Sequence, residues 1–168
     1  MKRIGLLSDT HGVLDERVFE HFKTCDEVWH AGDIGSNEVA NQLEAFKPLR
    51  AVYGNIDSYD IRLRYPEYNR FVLEGVDVLM THIAGYPGHY AQSIRPILFN
   101  TPPKLLVCGH SHILRVMYDK WLKTLVVNPG AAGTYGQQAI QTLIRFVLKE
   151  GAICDLEVIE LGHPQRRN

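Results

Sequence analysis

Two hydrophobic periods take turns along roughly the first fifty residues, and no other feature limits the fold as tightly. Arg3 to Ser8 reads as a short buried strand, and Val13 to Thr24 carries Val13, Leu14, Val18, Phe19 and Phe22 at the spacing of one helix face. The unit then repeats. Glu27 to His30 is strand-like, Ser36 to Phe46 is an amphipathic helix with Ser36 as its N-cap, and Leu49 to Tyr53 is a further strand. Strands alternating with helices in this way predict an α/β layout.

After Asn55 the pattern changes. Phe71 to Leu73 and Val76 to Met80 flank Glu74-Gly75, a two-residue connection of hairpin type. The loop Gly85-Tyr86-Pro87-Gly88 precedes a helix expected between His89 and Phe99. Lys104 to Cys108, Ile113 to Tyr118, Thr124 to Val127, Gln141 to Lys149 and Ala152 to Ile159 then read as strands, the last two joined by Glu150-Gly151. About ten short strands with about three helices are too much sheet for one ordinary layer in a chain of this size. The expected fold is an α/β four-layer α-β-β-α sandwich, two mixed sheets packed face to face with helices outside. Residues 1–168 read as one domain without repeats or linkers, ending in a polar, frayed tail from Gly162 to Asn168.

The formal charge of -1 provides no long-range field for nucleic acid or an anionic membrane, so any anion must be gripped locally. Cys25, Cys108 and Cys154 lie far apart with no CxxC spacing, which suits small buried hydrophobes in a reducing compartment. The apolar run Ile4 to Leu7 stops at Ser8-Asp9, well short of a signal-peptide core or a membrane span. A soluble, cytoplasmic protein is the expectation.

Chemistry-bearing residues recur where these strands end and loops begin. Asp9 with His11, Asp33, Asn55, His82, and His110 with His112 occupy five such ends, the position from which α/β sheets present side chains to ligands. Asp9-Thr10-His11 and His110-Ser111-His112 each set two ligand types at i and i+2, able to converge on one side of an extended or turning backbone. A mixture of imidazole, carboxylate and amide oxygen suits borderline divalent ions such as Mn, Fe, Co, Ni or Zn, whereas thiolates would point to structural zinc. Each residue alone has an ordinary explanation, Asp9 as a helix cap or Asn55 as a turn residue. Seven together, all at strand ends, do not.

The ordered series Asp9-x-His11, Gly32-Asp33, Gly54-Asn55-x-Asp57, His82 and Gly109-His110-x-His112 resembles the calcineurin-like metallophosphoesterase superfamily, and the short chain is similar to its YfcE-like phosphodiesterase branch. The resemblance spans residues 1 to about 130. It implies a metal-dependent phosphoesterase, a phosphodiesterase before a phosphomonoesterase, with two divalent ions. Mn comes first among these, with Ni, Fe, Co or Zn as alternatives. Asp9, His11, Asp33 and His112 would hold one ion and Asp33, Asn55, His82 and His110 the other, with a metal-bridging hydroxide as nucleophile.

Two departures from the family pattern bear on substrate. Members that cleave monoesters commonly carry His at the position of Ile56, and related small members carry Gly-His after the equivalent of His82, where this chain has Ile83-Ala84. Diesters, or substrates with good leaving groups, are therefore favoured, and His89 is the candidate acid. His30 could pack at its strand end or orient a ligand, and Asp57 would close its turn or orient a neighbour. Asn128-Pro129-Gly130 resembles a family segment that supports the ligand shell. Arg50, Arg62, Arg64 and Arg95 could touch phosphate, though solvated charge is the default reading, as it is for His21 and His163.

Two other functions compete. The fold resembles the retromer scaffold subunit, a protein-binding role, but a scaffold is free to lose metal ligands and none is missing here. Larger relatives with this site are nucleases, and the near-neutral charge counts against nucleic acid as partner. A small phosphodiester or other phosphoester is the expected partner, with no membrane, and a homo-oligomer stays open.

Overall fold

Ten strands and four helices form among residues 1–164, which the computed structural model describes. In chain order they are β1 (Lys2–Leu7), α1 (Arg17–Phe22), β2 (Glu27–His30), α2 (Asn37–Phe46), β3 (Leu49–Ala51), α3 (Tyr59–Arg64), β4 (Tyr68–Leu73) and β5 (Val76–Thr81). There follow α4 (Arg95–Asn100), β6 (Leu105–Val107), β7 (Leu114–Asp119), β8 (Thr124–Pro129), β9 (Gln141–Lys149) and β10 (Ala152–Gly162). One sheet runs β10-β9-β1-β2-β3 and the other β4-β5-β6-β8-β7. Both are mixed. β1, β2 and β3 are mutually parallel, as are β5, β6 and β8, while β9, β10, β4 and β7 pair antiparallel.

Side-chain alternation sorts the apolar residues into three layers. Ile4 and Leu6 of β1, Trp29 of β2, Val78 and Met80 of β5, Val107 of β6 and Phe146 of β9 fill the space between the sheets. The opposite face of the first sheet packs on Val18 and Phe22 of α1, Val39 and Leu43 of α2 and Ile61 of α3. Gly5 belongs to this face because a Cβ there would strike the Phe22 ring. On the outer face of the second sheet, Leu79, Leu106 and Val126 meet Ile94 and Leu98 of the α4 region. Helices outside two facing sheets give the expected four-layer sandwich.

Glu74-Gly75 and Glu150-Gly151 turn with left-handed φ at both residues, 51° and 77° in the first and 49° and 76° in the second, as hairpins of the primed type require. These turns touch. The Gly151 N–H donates to the Glu74 carbonyl at 2.7 Å, and the Lys104 ammonium donates to the Gly151 carbonyl.

Several elements are shorter than their periodicity suggests. The first helix begins at Arg17 rather than Val13, because left-handed His11 and Gly12 turn the chain away and the Asp15 carboxylate receives the Arg17 N–H at 2.9 Å. The fourth helix begins at Arg95 rather than His89, since Pro96, without an N–H, fits only its first turn. β3 ends at Ala51, and α3 is a helix that periodicity did not indicate. Ser36 caps α2 as expected, accepting from the Val39 N–H at 3.2 Å. Cys25 and Cys108 are buried but Cys154 only partly so. Of the proposed tail, Gly162 closes β10 and His163 donates through Nδ1 to the Ala139 carbonyl at 2.8 Å; residues 165–168 lie outside the described residues. Among the described residues no helix is long and apolar enough to cross a membrane.

Candidate metal centre

The carboxyl ends of β1, β2 and β3 in one sheet, and of β5 and β6 in the other, open onto one edge of the sandwich. Asp9 and His11 follow β1, Asp33 follows β2 and Asn55 follows β3; His82 follows β5, and His110 and His112 follow β6. Asp9, His11, Asp33, His110 and His112 all have φ between 47° and 71°, a region uncommon for non-glycine residues and best tolerated among them by Asn, Asp and His. Backbone bonds hold them there: the N–H groups of Asp9 and His11 donate to the Gly32 and Asp33 carbonyls, both at 3.0 Å, and the Gly109 N–H donates to the His82 carbonyl at 3.0 Å. Glycine is needed beside them, since a Cβ at Gly54 would collide with the Asp33 carboxylate and one at Gly109 with Ser8 and Asp9.

Six of the seven expected ligands converge in two groups. Asp9, His11 and His112 form one, and Asp33, His82 and His110 the other, with the ligand atoms of each group within 4.8 Å of one another. His112 Nε2 lies 3.2 Å from Asp9 Oδ1, and His82 Nε2 lies 3.1 Å from Asp33 Oδ2. Asp33 Oδ2 is also 3.4 Å from His11 Nε2, so this carboxylate faces both groups. Asn55 stands on the exposed rim, its Oδ1 accepting from His110 Nδ1 at 3.0 Å.

The tautomers leave nitrogen lone pairs turned inward. His82 Nδ1 donates to the Ala31 carbonyl at 2.8 Å, and His112 Nδ1 donates to Gln138 Oε1 at 3.0 Å, which frees both Nε2 atoms as acceptors. Gln138 is oriented in turn by donating Nε2 to the carbonyls of Gly133 and Tyr135 at 2.9 and 2.7 Å. Asp9 Oδ1, His11 Nε2 and His82 Nε2 are buried with no hydrogen-bond partner. Such atoms cost about 1–3 kcal/mol each when left bare. Lone pairs that converge on one space from carboxylates and imidazoles fit divalent cations.

Electrostatics point the same way. Burial alone would raise the Asp9 carboxyl, but His11, His112 and His82 around it outweigh that and hold it well below the usual carboxylate range. Asp33 is lowered against its own burial by His82 and the Ile56 N–H. His82 is raised despite burial because Asp33 and Asp9 face it, and His112 is raised by Asp9. Burial and His82 together lower His110. The carboxylates draw positive charge to this point.

Supporting residues surround the cluster. His30 is fully buried: its Nδ1 accepts from the Gly32 N–H at 3.1 Å, its Nε2 donates to Thr10 Oγ1 at 3.0 Å, and that hydroxyl donates to the Ile34 carbonyl at 2.8 Å. It therefore locks the two ligand loops after β1 and β2 together. Asp57 accepts from the N–H groups of Gly54, Gly35 and Ile34, at 2.8, 2.8 and 3.2 Å, tying the loop after β3 to the loop after β2. Asn128 Nδ2 donates to the Gly109 carbonyl at 2.9 Å and to Ser111 Oγ at 3.1 Å, bracing the His110–His112 turn.

Gln138, Ser8, whose hydroxyl donates to Asp9 Oδ2 at 2.6 Å, and Tyr135, whose ring centroid lies 4.7 Å from that of His11, carry no spacing signal in the sequence. His89 is exposed and lines a hollow that also contains His110. Arg62 donates to the Asn55 and Asp57 carbonyls at 3.1 and 2.9 Å beside the cluster. Arg50 pairs with Glu27, Arg64 with Asn37 and Glu44, and Arg95 with the Tyr90 carbonyl, none of them with a ligand residue.

The four-layer sandwich and an Asp/His cluster at its strand ends define a metal-dependent phosphoesterase class. The chain belongs to the calcineurin-like phosphoesterase superfamily, whose domain profile matches residues 1–151. It is 27% identical over 172 residues to a probable metallophosphoesterase of Methanothermobacter thermautotrophicus, with 98% of this chain and 96% of that one covered. Among solved structures, a novel archaeal phosphodiesterase superposes with a TM-score of 0.76 at 22% identity, covering 95% of this chain and 99% of that one. A Vps29 mutant of Entamoeba histolytica superposes at 0.73 with 12% identity, over 95% and 99% of the two chains. Both likenesses concern the fold.

Burial pushes His30 down to about 3 from the ordinary 6.5, so it is neutral in the folded protein. The unfolded chain takes up that proton as pH falls through 6.5, so stability present above this pH is lost on acidification, by roughly 2 kcal/mol at pH 5. In metal-free protein, urea titrations at about pH 7.5 and pH 5 should give a smaller stability difference for His30→Gln than for the parent by about that amount; equal differences would refute the neutral assignment. Gln138→Ala should weaken Mn binding about 10–100-fold, by releasing the His112 ring, with the fold retained by circular dichroism. Unchanged affinity would show that Gln138 does not orient this ligand.

Proposed function

We propose that this protein is a metal-dependent phosphodiesterase with a dinuclear centre, acting within a single domain over residues 1–168. The observation that carries the reading is the convergence of three buried, partnerless atoms, Asp9 Oδ1, His11 Nε2 and His82 Nε2, inside a cluster of acidic and imidazole groups. Asp9, His11, Asp33 and His112 would hold one divalent ion and Asp33, Asn55, His82 and His110 the second. Asp33 faces both sets. When bound, two such cations neutralise phosphoryl oxygens and make water acidic enough to serve as nucleophile near neutral pH. Mn is the first choice for this donor set, with Ni, Fe, Co and Zn as alternatives.

Hydrolysis adds water across one P–O bond, leaving a monoester and an alcohol, and the departing oxygen needs a proton. Ile56 cannot give one: the residue is 47% exposed with an apolar side chain, and its role is the backbone N–H that donates to Asp33 Oδ1 at 3.1 Å. His89, which borders the same hollow as His110, is assigned as the proton donor. The lack of a proton-donating side chain at Ile56 favours diesters, whose anionic charge is lower, over demanding monoesters. Free cysteines fit a cytoplasmic setting. The scaffold reading has the Vps29 fold likeness in its favour, but a scaffold has no need of bare ligand atoms held in left-handed backbone.

Metal analysis of purified protein, followed by assays with Mn on bis(p-nitrophenyl) phosphate and p-nitrophenyl phosphate, tests this. Two ions per chain and faster turnover of the diester are expected. On dibenzyl phosphate, whose departing alkoxide needs a proton, His89→Ala should lower kcat by about 100-fold or more with metal content unchanged. Faster monoester turnover would overturn the diester assignment, unchanged kcat would remove His89, and two ions without turnover would restore the scaffold.

A further inference from the structure

Two hollows flank the ligand cluster, and Ile83 forms part of both. The first, about 360 Å³, contains Asn55 and His82; the second, about 180 Å³, contains His110. The rings of His82 and His110 meet edge to face, centroids 5.3 Å apart, with one hollow beside each ring, so a phosphoryl group on the cluster has a hollow on either side. Ile83 is 38% exposed between two buried neighbours, His82 and Ala84, and the Ala84 carbonyl is fixed by the Ala91 N–H at 2.9 Å. It is a held partition.

The hollows differ in chemistry. The Asn55 side offers Arg62, with two of its five donors committed to the Asn55 and Asp57 carbonyls, and Glu67, which accepts from the Tyr53 hydroxyl at 3.2 Å. One positive and one negative group among hydroxyls of Tyr53, Tyr68 and Ser93 suit a neutral, hydroxyl-bearing group, because Glu67 opposes a second anion. The His110 side is walled by Tyr86 and His89, with ring centroids 4.8 Å apart, and is floored by Ala84 and Val126. The Arg115 guanidinium stacks 3.7 Å over the Tyr86 ring. An enclosed apolar space of about 150 Å³ holds one benzene ring, so this smaller hollow suits an aryl or short alkyl group better than a nucleoside.

We infer that the centre takes an unsymmetrical phosphodiester, with a sugar-like substituent between Arg62 and Tyr68 and a compact flat one against the Tyr86–His89 pair, divided by Ile83. The inference rests on the phosphodiesterase reading. His89 lies on the compact side, so that side leaves: water adds to phosphorus, the P–O bond to the compact group breaks, and its oxygen takes a proton. The products are the sugar monoester and the compact alcohol.

The benzyl ester of thymidine monophosphate tests this, because both its alcohols are of similar leaving ability and the bond that breaks reports the placement. With Mn, benzyl alcohol and thymidine monophosphate are expected, with KM roughly tenfold below that of dibenzyl phosphate, the worth of about one good contact. Ile83→Gly should reduce that KM ratio toward unity and give both product pairs. Benzyl phosphate and thymidine as main products would overturn the inference. A second measurement stands apart from turnover: in NMR titrations, thymidine should shift Tyr53 and Tyr68, and benzyl alcohol Tyr86 and His89. If no diester is hydrolysed, the phosphodiesterase reading fails, while the two subsites stand or fall on this map. Both probes shifting the same side would overturn them.

Discussion

Asp9 is a carboxylate with no exposure to solvent at all, and most of the site is arranged around that fact. Its Oδ2 accepts from Ser8 Oγ and from the His110 N–H, its own N–H donates to the Gly32 carbonyl, and its carbonyl accepts from the Gly133 N–H. One residue thus touches the loops after β1, β2, β6 and β8. Its other oxygen, Oδ1, meets only imidazole nitrogens. A buried charge requires compensation that nearby dipoles supply only in part, and a second carboxylate, Asp33, shares the space.

The expense of this arrangement is measurable against the fold. Three buried atoms without a hydrogen bond and five left-handed backbones each cost folding free energy. The three apolar layers must offset it, and cations binding only the folded state would return part of it as stability.

Where the sequence was informative, the reason is periodicity. β2 and β9 were legible to the residue, because uninterrupted apolar or alternating runs ended at abrupt polar positions. The candidate ligands stood out for the same reason: His82, for one, directly follows the six residues of β5. α3 was not legible, since its six residues bury only Ile61 and give no periodic stripe. α4 was placed too early because apolar spacing was weighed without Pro96. Gln138 was invisible in a different way. It reaches His112 from 26 positions away through a loop, and an amide in a loop has no period to betray it. His30 could be read as packing or positioning, and the fold makes it both.

The turn-to-turn bond between Glu74 and Gly151 lies at the end of the sandwich opposite the ligands, because β5 and β1 both run from that end toward the cluster. The sheets are therefore pinned like the sprung end of a clothes-peg, with Asp9, His11, Asp33 and Asn55 on one jaw and His82, His110 and His112 on the other. Whatever the jaws grip must hold the two sheets to each other. The mouth is tied as well, by the bonds from His82 to the Ala31 carbonyl and from the His110 N–H to Asp9, so the two jaws meet a bound group already set at a fixed spacing.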